Sequence, residues 1–232
     1  MLKIPAQTKS LYLLLLGASL ALALVPALFP SLDIAAAAFF LRADPPRSAA
    51  GWLWVEWVNE YTPDIFRVLV MVCLFGWIVA SLVPRLRQWS LMLAFVGLSV
   101  ALGPGLATWA VKEHHQRARP FDVVEFGGTR EFSPALVKTN QCEDNCAFVS
   151  GHVACGFFFA SLMLLYPRRR WWWLTTGVFG GLAIGLARMS VGAHWLSDVL
   201  WALPITLLSS WLVWHVLALF YRSPRKTAAE GP

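Results

Sequence analysis

Charge is scarce in this chain. Asp, Glu, Lys and Arg make up 14% of its 232 residues while 58% are hydrophobic, a balance that excludes an ordinary soluble domain of this length. No internal repeat and no low-complexity linker is visible, so the sequence offers no sign of a repeat array or a tethered second module and reads as one domain over residues 1–232. Cysteine is limited to four residues. Cys73 and Cys155 fall in apolar segments and read as buried fillers, whereas Cys142 and Cys146 stand together in a polar stretch, QCEDNC.

What the chain has instead is long apolar runs. About 20 apolar residues cross a bilayer core of about 30 Å, and six such runs are present: Leu11 to Pro30, Ile65 to Val83, Leu91 to Val111, Gly151 to Tyr166, Trp172 to Leu186 and Trp195 to Tyr221. The expectation is an all-α, six-helix membrane bundle. The first run follows Lys3 and Lys9 and precedes small residues at Ala35 to Ala38, the pattern of a cleaved signal peptide, but its length favours a retained helix.

Orientation follows from the short connections. Lys3, Lys9, Arg85, Arg87, Arg168 to Arg170, Arg222, Arg225 and Lys226 fall at alternate ends of six helices, which places them and both termini on the cytoplasmic side. The formal charge of +6 is thereby explained by topology and gives no reason to invoke nucleic acid. Trp171 to Trp173 beside three arginines fits an interfacial belt, and Gly51 to Tyr61, with Trp52, Trp54 and Trp57, reads as a membrane-surface helix.

The unusual residues fall on the opposite side. At the end of the third run stands KEHHQRARP. If the helix runs on for two turns, Lys112 and Arg119 share a face and can grip one anion; the same residues would also serve as a basic cluster at lipid headgroups. At the start of the fourth run lies CAFVSGHVACGFFF, where unpartnered helix N–H groups, the Ser150 hydroxyl and an unobstructed Gly151 suit an anion. His152 then stands beside it as a proton donor, the plainer alternative being Ser150 as a helix cap. Between the last two runs, ARMSVGAHWLSD sets His194 and Asp198 four apart on one face of the sixth helix. The carboxylate can fix the imidazole tautomer and leave a nucleophilic nitrogen, and an acid in an apolar segment needs such a partner. Six-helix topology brings these ends to one surface, which describes a phosphoryl-transfer site.

These three stretches resemble the motifs of the type-2 phosphatidic acid phosphatase superfamily, whose members include lipid phosphate phosphatases and vanadium-dependent haloperoxidases. The match runs from Lys112 to Asp198, with Val149 where the family usually has Pro and Ala187 where Ser commonly precedes the Arg. The resemblance implies that His194 attacks phosphorus to give a phosphohistidine oriented by Asp198, and that His152 protonates the leaving group and then activates water. It further implies that Lys112, Arg119, Ser150, Gly151 and Arg188 bind phosphate, with no metal or other cofactor. The six apolar runs argue against a haloperoxidase.

The implied enzyme is a bacterial inner-membrane phosphatase with a periplasmic site. By resemblance its substrate is a lipid phosphate: lipid A, undecaprenyl diphosphate or phosphatidylglycerol phosphate. The cysteine-bearing loop before VSGH is most similar to lipid-A-type phosphatases. No obligate protein partner is evident. A lipid phosphotransferase, a non-catalytic lipid-binding or transport protein and, more distantly, a thiol oxidoreductase using Cys142 and Cys146 remain the alternatives. A bridge between those two cysteines requires that the segment not be regular helix, and the long loop from Lys112 to Ser150 reads as a lid or headgroup-binding surface.

Overall fold

A computed structural model describes residues 4–42 and 48–221. Lys3, Arg222, Arg225 and Lys226, which the orientation reading used, lie outside the described residues. Eight α-helices account for most of the rest: α1 (Ala6–Leu28), α2 (Ser31–Leu41), α3 (Leu53–Leu82), α4 (Ser90–Val100), α5 (Thr108–His115), α6 (Gly151–Ser161), α7 (Arg170–Ser190) and α8 (Leu196–Phe220). The described residues contain no strand, only an isolated bridge between Val123 and Arg130.

Four helical stretches are long and apolar enough to cross a membrane: Ala6–Leu28, Leu53–Leu82, Pro84–Asp122 and Leu196–Phe220. The Gly151–Leu164 stretch is apolar but shorter. Outward-facing Leu14, Leu28, Phe75, Leu82, Phe179 and Phe220 are all exposed, an apolar exterior suited to lipid.

Two boundaries differ from the sequence expectation. The Trp-rich surface helix and the second apolar run are one continuous helix, α3, with Pro63 inside it. The third run extends through α4, a wide π-helical segment at Ala101–Ala107, and α5. Pro104 within that segment cannot donate to the carbonyl four residues back, which loosens the turn. The α-helical part of the stretch ends at His115, because Gln116 adopts a left-handed conformation (φ 50°). It does not reach Arg119. A further short helix, α2, was not anticipated; Ala35 to Ala38 lie within it and Ala37 is buried.

Small residues seat α7 against α6 and α8. Gly177, Gly181 and Gly185 recur every four residues along α7. A methyl group at 177 would strike the Ala160 backbone, at 181 the Phe157 ring, and at 185 the Val199 side chain 2.6 Å away. Close backbone approach is how helices pack when lipid gives no hydrophobic drive. The far end of the bundle is closed by Phe95, Phe158, Met163, Leu164, Leu207 and Trp214 around Tyr12, whose hydroxyl donates to the Leu207 carbonyl at 2.7 Å. Arg170 reaches Gln7 at 3.3 Å, so the start of α7 and the start of α1 share that end. The end of α5 and the starts of α3, α6 and α8 meet at the other.

Candidate active site

Arg119 reaches Lys112 by a route other than a shared helical face. After the left-handed turn at Gln116 the chain is extended at Arg119 (φ −81°, ψ 158°), as expected before a proline. Both cations then converge on Asn145. The Lys112 ammonium donates to Asn145 Oδ1 at 3.2 Å, and Arg119 donates through Nε and NH2 to the Asn145 carbonyl at 3.1 and 2.6 Å. Asn145 is held in a left-handed conformation (φ 48°) inside the loop closed by a disulfide between Cys142 and Cys146, whose Cα atoms are 5.6 Å apart.

The neighbouring helix starts where the sequence places it. Ser150 is the N-cap of α6 and is fully buried, with its hydroxyl 3.5 Å from the Val153 N–H. Its own N–H donates to the Asp198 carbonyl at 3.3 Å, which ties the start of α6 to the first turn of α8. Gly151 faces the Thr108 hydroxyl and the Pro104 carbonyl, which a methyl group there would touch at 3.4 and 3.5 Å, an ordinary contact.

His194 precedes α8 instead of lying on it. The helix is capped by Trp195, and Asp198 in its first turn accepts the Trp195 N–H at 2.8 Å. His194 Nδ1 lies 3.5 Å from the same carboxylate oxygen, longer than an ordinary hydrogen bond. The main partner of Asp198 is Arg117, at 2.7 Å. Arg117 also binds Asp33 at 2.7 Å, the Ser197 hydroxyl at 2.7 Å and the Ser133 carbonyl at 2.7 Å, with Trp195 under its guanidinium at 5.1 Å. Asp33 in turn accepts the Ser197 N–H and hydroxyl at 2.8 and 2.6 Å. These charges are all buried.

A further contact joins α3 to the site. The Arg188 NH1 donates to the Asn59 side-chain oxygen at 2.6 Å, and His152 Nε2 lies 3.2 Å from the Asn59 backbone carbonyl. Arg188 Nε and His194 Nδ1 are buried without a hydrogen-bond partner among the described residues. Sequence reasoning missed Asn59, Arg117, Asp33 and Asn145. Asp33 alone carried a signal, as an acid followed directly by the apolar stretch Ile34 to Leu41.

Electrostatics favour a neutral imidazole at His194. Burial holds its pKa well below the ordinary 6.5, and the charges of Lys112, Arg188, Arg119 and His152 act in the same direction. The five groups therefore share one electrostatic environment. Among the described residues, no group of three or more His, Cys, Asp or Glu could hold a metal ion.

The pattern of the PAP2 superfamily matches residues 89–222, more than half of the chain. The chain belongs to that superfamily. It is a phosphatase and a multi-pass membrane protein. A lipid A 4'-phosphatase of Francisella tularensis subsp. novicida (strain U112) is 31% identical to this PAP2 protein over 84% of this chain and 89% of its own length. A lipid A 4'-phosphatase of Rhizobium leguminosarum is 34% identical over 44% of each chain. Phosphatidylglycerophosphatase B of Escherichia coli (strain K12) is 25% identical over 72% of this chain and 82% of its own. No solved structure matches.

Proposed function

We propose that this PAP2 protein removes phosphate from a lipid phosphomonoester or diphosphate through a phosphohistidine intermediate, with lipid A as the first candidate substrate and undecaprenyl diphosphate the next. The observation that carries the reading is the buried His194, 2% exposed and held neutral, beside three cations and a second histidine. A neutral imidazole is nucleophilic. The Asp198 carboxylate on the Nδ1 side leaves Nε2 as the attacking atom.

In the first step His194 Nε2 forms a bond to phosphorus as the bond to the leaving oxygen breaks, and His152 gives that oxygen a proton. In the second, His152 takes a proton from water, the water oxygen bonds to phosphorus and the P–N bond breaks. Inorganic phosphate and neutral His194 result. Lys112, Arg119, Arg188, the Ser150 hydroxyl and the Gly151 N–H stabilise charge on the equatorial oxygens, which is the principal demand of phosphoryl transfer. Side chains supply the positive charge, so the proposed reaction needs no metal.

In this reading the whole chain is one domain crossing the bacterial inner membrane six times, with both termini cytoplasmic and the site facing the periplasm. Positive charge in the connections opposite the site supports the orientation. The 31% identity to a lipid A 4'-phosphatase over most of both chains supports the substrate. The likeness to phosphatidylglycerophosphatase B keeps phosphatidylglycerol phosphate as the alternative substrate.

The test is phosphate release by the purified protein in detergent with EDTA on the three lipids, comparing wild type with His194→Ala. Release from wild type that is lost in the folded variant is the expected result. Release that survives the substitution defeats the phosphohistidine. Transfer of radiolabelled phosphate to a second lipid instead of water would make the protein a phosphotransferase, and binding without turnover would make it a carrier.

A further inference from the structure

Pro63 lies inside α3, four residues after Asn59. In an uninterrupted helix the N–H of residue 63 would donate to the Asn59 carbonyl, but proline has no N–H. That carbonyl is left open to a donor from another element, and the donor beside it is His152, with Nε2 3.2 Å away. A carbonyl oxygen only accepts, so Nε2 carries the hydrogen and Nδ1 is left as the nitrogen that exchanges protons. The side chain of the same residue accepts from Arg188 at 2.6 Å, and the Arg188 Nε remains unpartnered among the described residues. Asn59 thus holds, with two oxygens, a residue from the start of α6 and one from the end of α7.

We propose that Asn59 and Pro63 are positioning residues for this site. Pro63 keeps the Asn59 carbonyl free of its own helix so that it fixes the tautomer and ring of His152, and Asn59 Oδ1 aims Arg188 at the phosphate. The proposal rests on the phosphohistidine reading above. Proline in a membrane helix commonly serves only to bend it, its freed carbonyl being satisfied by a neighbouring helix. Here the neighbour is the proton-transfer residue itself, which gives the substitution a chemical readout.

The experiment compares kcat/KM on two amphiphilic substrates: an alkyl phosphate, whose leaving oxygen needs a proton, and an alkylated nitrophenyl phosphate, whose leaving group does not. Pro63→Ala restores a helix donor that competes with His152 for the carbonyl. Because general acid catalysis is worth roughly 10²–10⁴-fold, partial loss of its geometry is expected to lower kcat/KM about tenfold on the alkyl phosphate and less than about twofold on the aryl phosphate. His152→Ala should show the same selectivity more strongly. Asn59→Ala keeps the backbone carbonyl and removes only the Arg188 contact, so kcat/KM falls about 3- to 10-fold on both substrates alike, the scale of one ordinary hydrogen bond.

Equal losses on both substrates, or none, in folded Pro63→Ala overturn the tautomer assignment. An unchanged kcat/KM in Asn59→Ala overturns the role in aiming Arg188. If His194→Ala retains wild-type turnover, the phosphohistidine reading itself has failed. If it is inactive while both α3 variants behave as wild type, only the positioning role has failed. Thermal unfolding in detergent identifies any variant that has lost its fold.

Discussion

Arg117 and Asp198 form a 2.7 Å ion pair that solvent does not reach, and the same guanidinium pairs with Asp33 at 2.7 Å. One cation thus stands between two carboxylates from α2 and α8. Buried pairs are costly to assemble and costlier to break, because the abandoned charge keeps its desolvation penalty. Arg117→Ala strands two carboxylates at once, so it is expected to destabilise by about 3–5 kcal/mol, the range for removing one member of a buried pair. Asp33→Asn keeps an acceptor for Ser197 and leaves a one-to-one pair with Asp198, so its unfolding temperature should fall by clearly less. Equal losses in the two variants would refute a shared-cation arrangement.

Much of the candidate site, as a grouping of residues, was legible in the sequence because its motifs are local. The spacing of VSGH and of His194 to Asp198 puts the chemistry within a few residues, and helix-end topology does the rest. What escaped notice depends on partners far away in the chain. Arg117 sits between Lys112 and Arg119 and looks like one more juxtamembrane cation until α2 brings Asp33 to it. Asn59 lies in a stretch whose tryptophans suggested only membrane anchoring. The expectation that helix would carry Lys112 and Arg119 on one face failed because Gln116 turns left-handed, and the two cations meet through Asn145 instead. Asp198, read as the partner of His194, spends its strongest contacts on Arg117 and the Trp195 N–H.

Titration of His194 has a definite sign. Burial and four neighbouring cationic or ionisable groups hold its pKa well below 6.5 in the folded protein, while the unfolded chain binds a proton near the ordinary value. Below pH 6.5 the unfolded state therefore takes up the proton first, and the contribution of this residue to stability, fully present above that pH, declines as the medium becomes more acid. In ¹⁵N-histidine spectra of ligand-free protein, assigned with His194→Gln, the His194 ring should remain neutral well below pH 6.5. An imidazolium signal at pH 6 would contradict the electrostatic description of the site.

Close helix approach makes Gly177 a strict position. A methyl group there would meet the Ala160 backbone, which cannot rotate away as a side chain can. Overpacking of this kind costs typically about 1–3 kcal/mol, so Gly177→Ala should lower the unfolding temperature in detergent. Gly17→Ala, where the added methyl has nothing within 4 Å, should not. A neutral result at Gly177 would mean that α6 and α7 sit farther apart than described.

The disulfide loop presents Asn145 to Lys112 and Arg119, two of the cations proposed to bind phosphate. Its side-chain oxygen holds Lys112 at 3.2 Å, and its carbonyl holds Arg119 at 2.6 Å. Closing so short a loop limits the unfolded chain only modestly, about 2 kcal/mol by loop entropy, so the larger effect of opening it should fall on the site. Cys142→Ser is expected to lower kcat/KM for lipid phosphate several-fold, because Lys112 and Arg119 lose the loop that holds their Asn145 contacts. Alkylation of the denatured, unreduced wild type should find two thiols, Cys73 and Cys155, and four after reduction. Four thiols before reduction would remove the bridge, and an unchanged kcat/KM in Cys142→Ser would show that the Asn145 contacts do not govern how the cations receive phosphate.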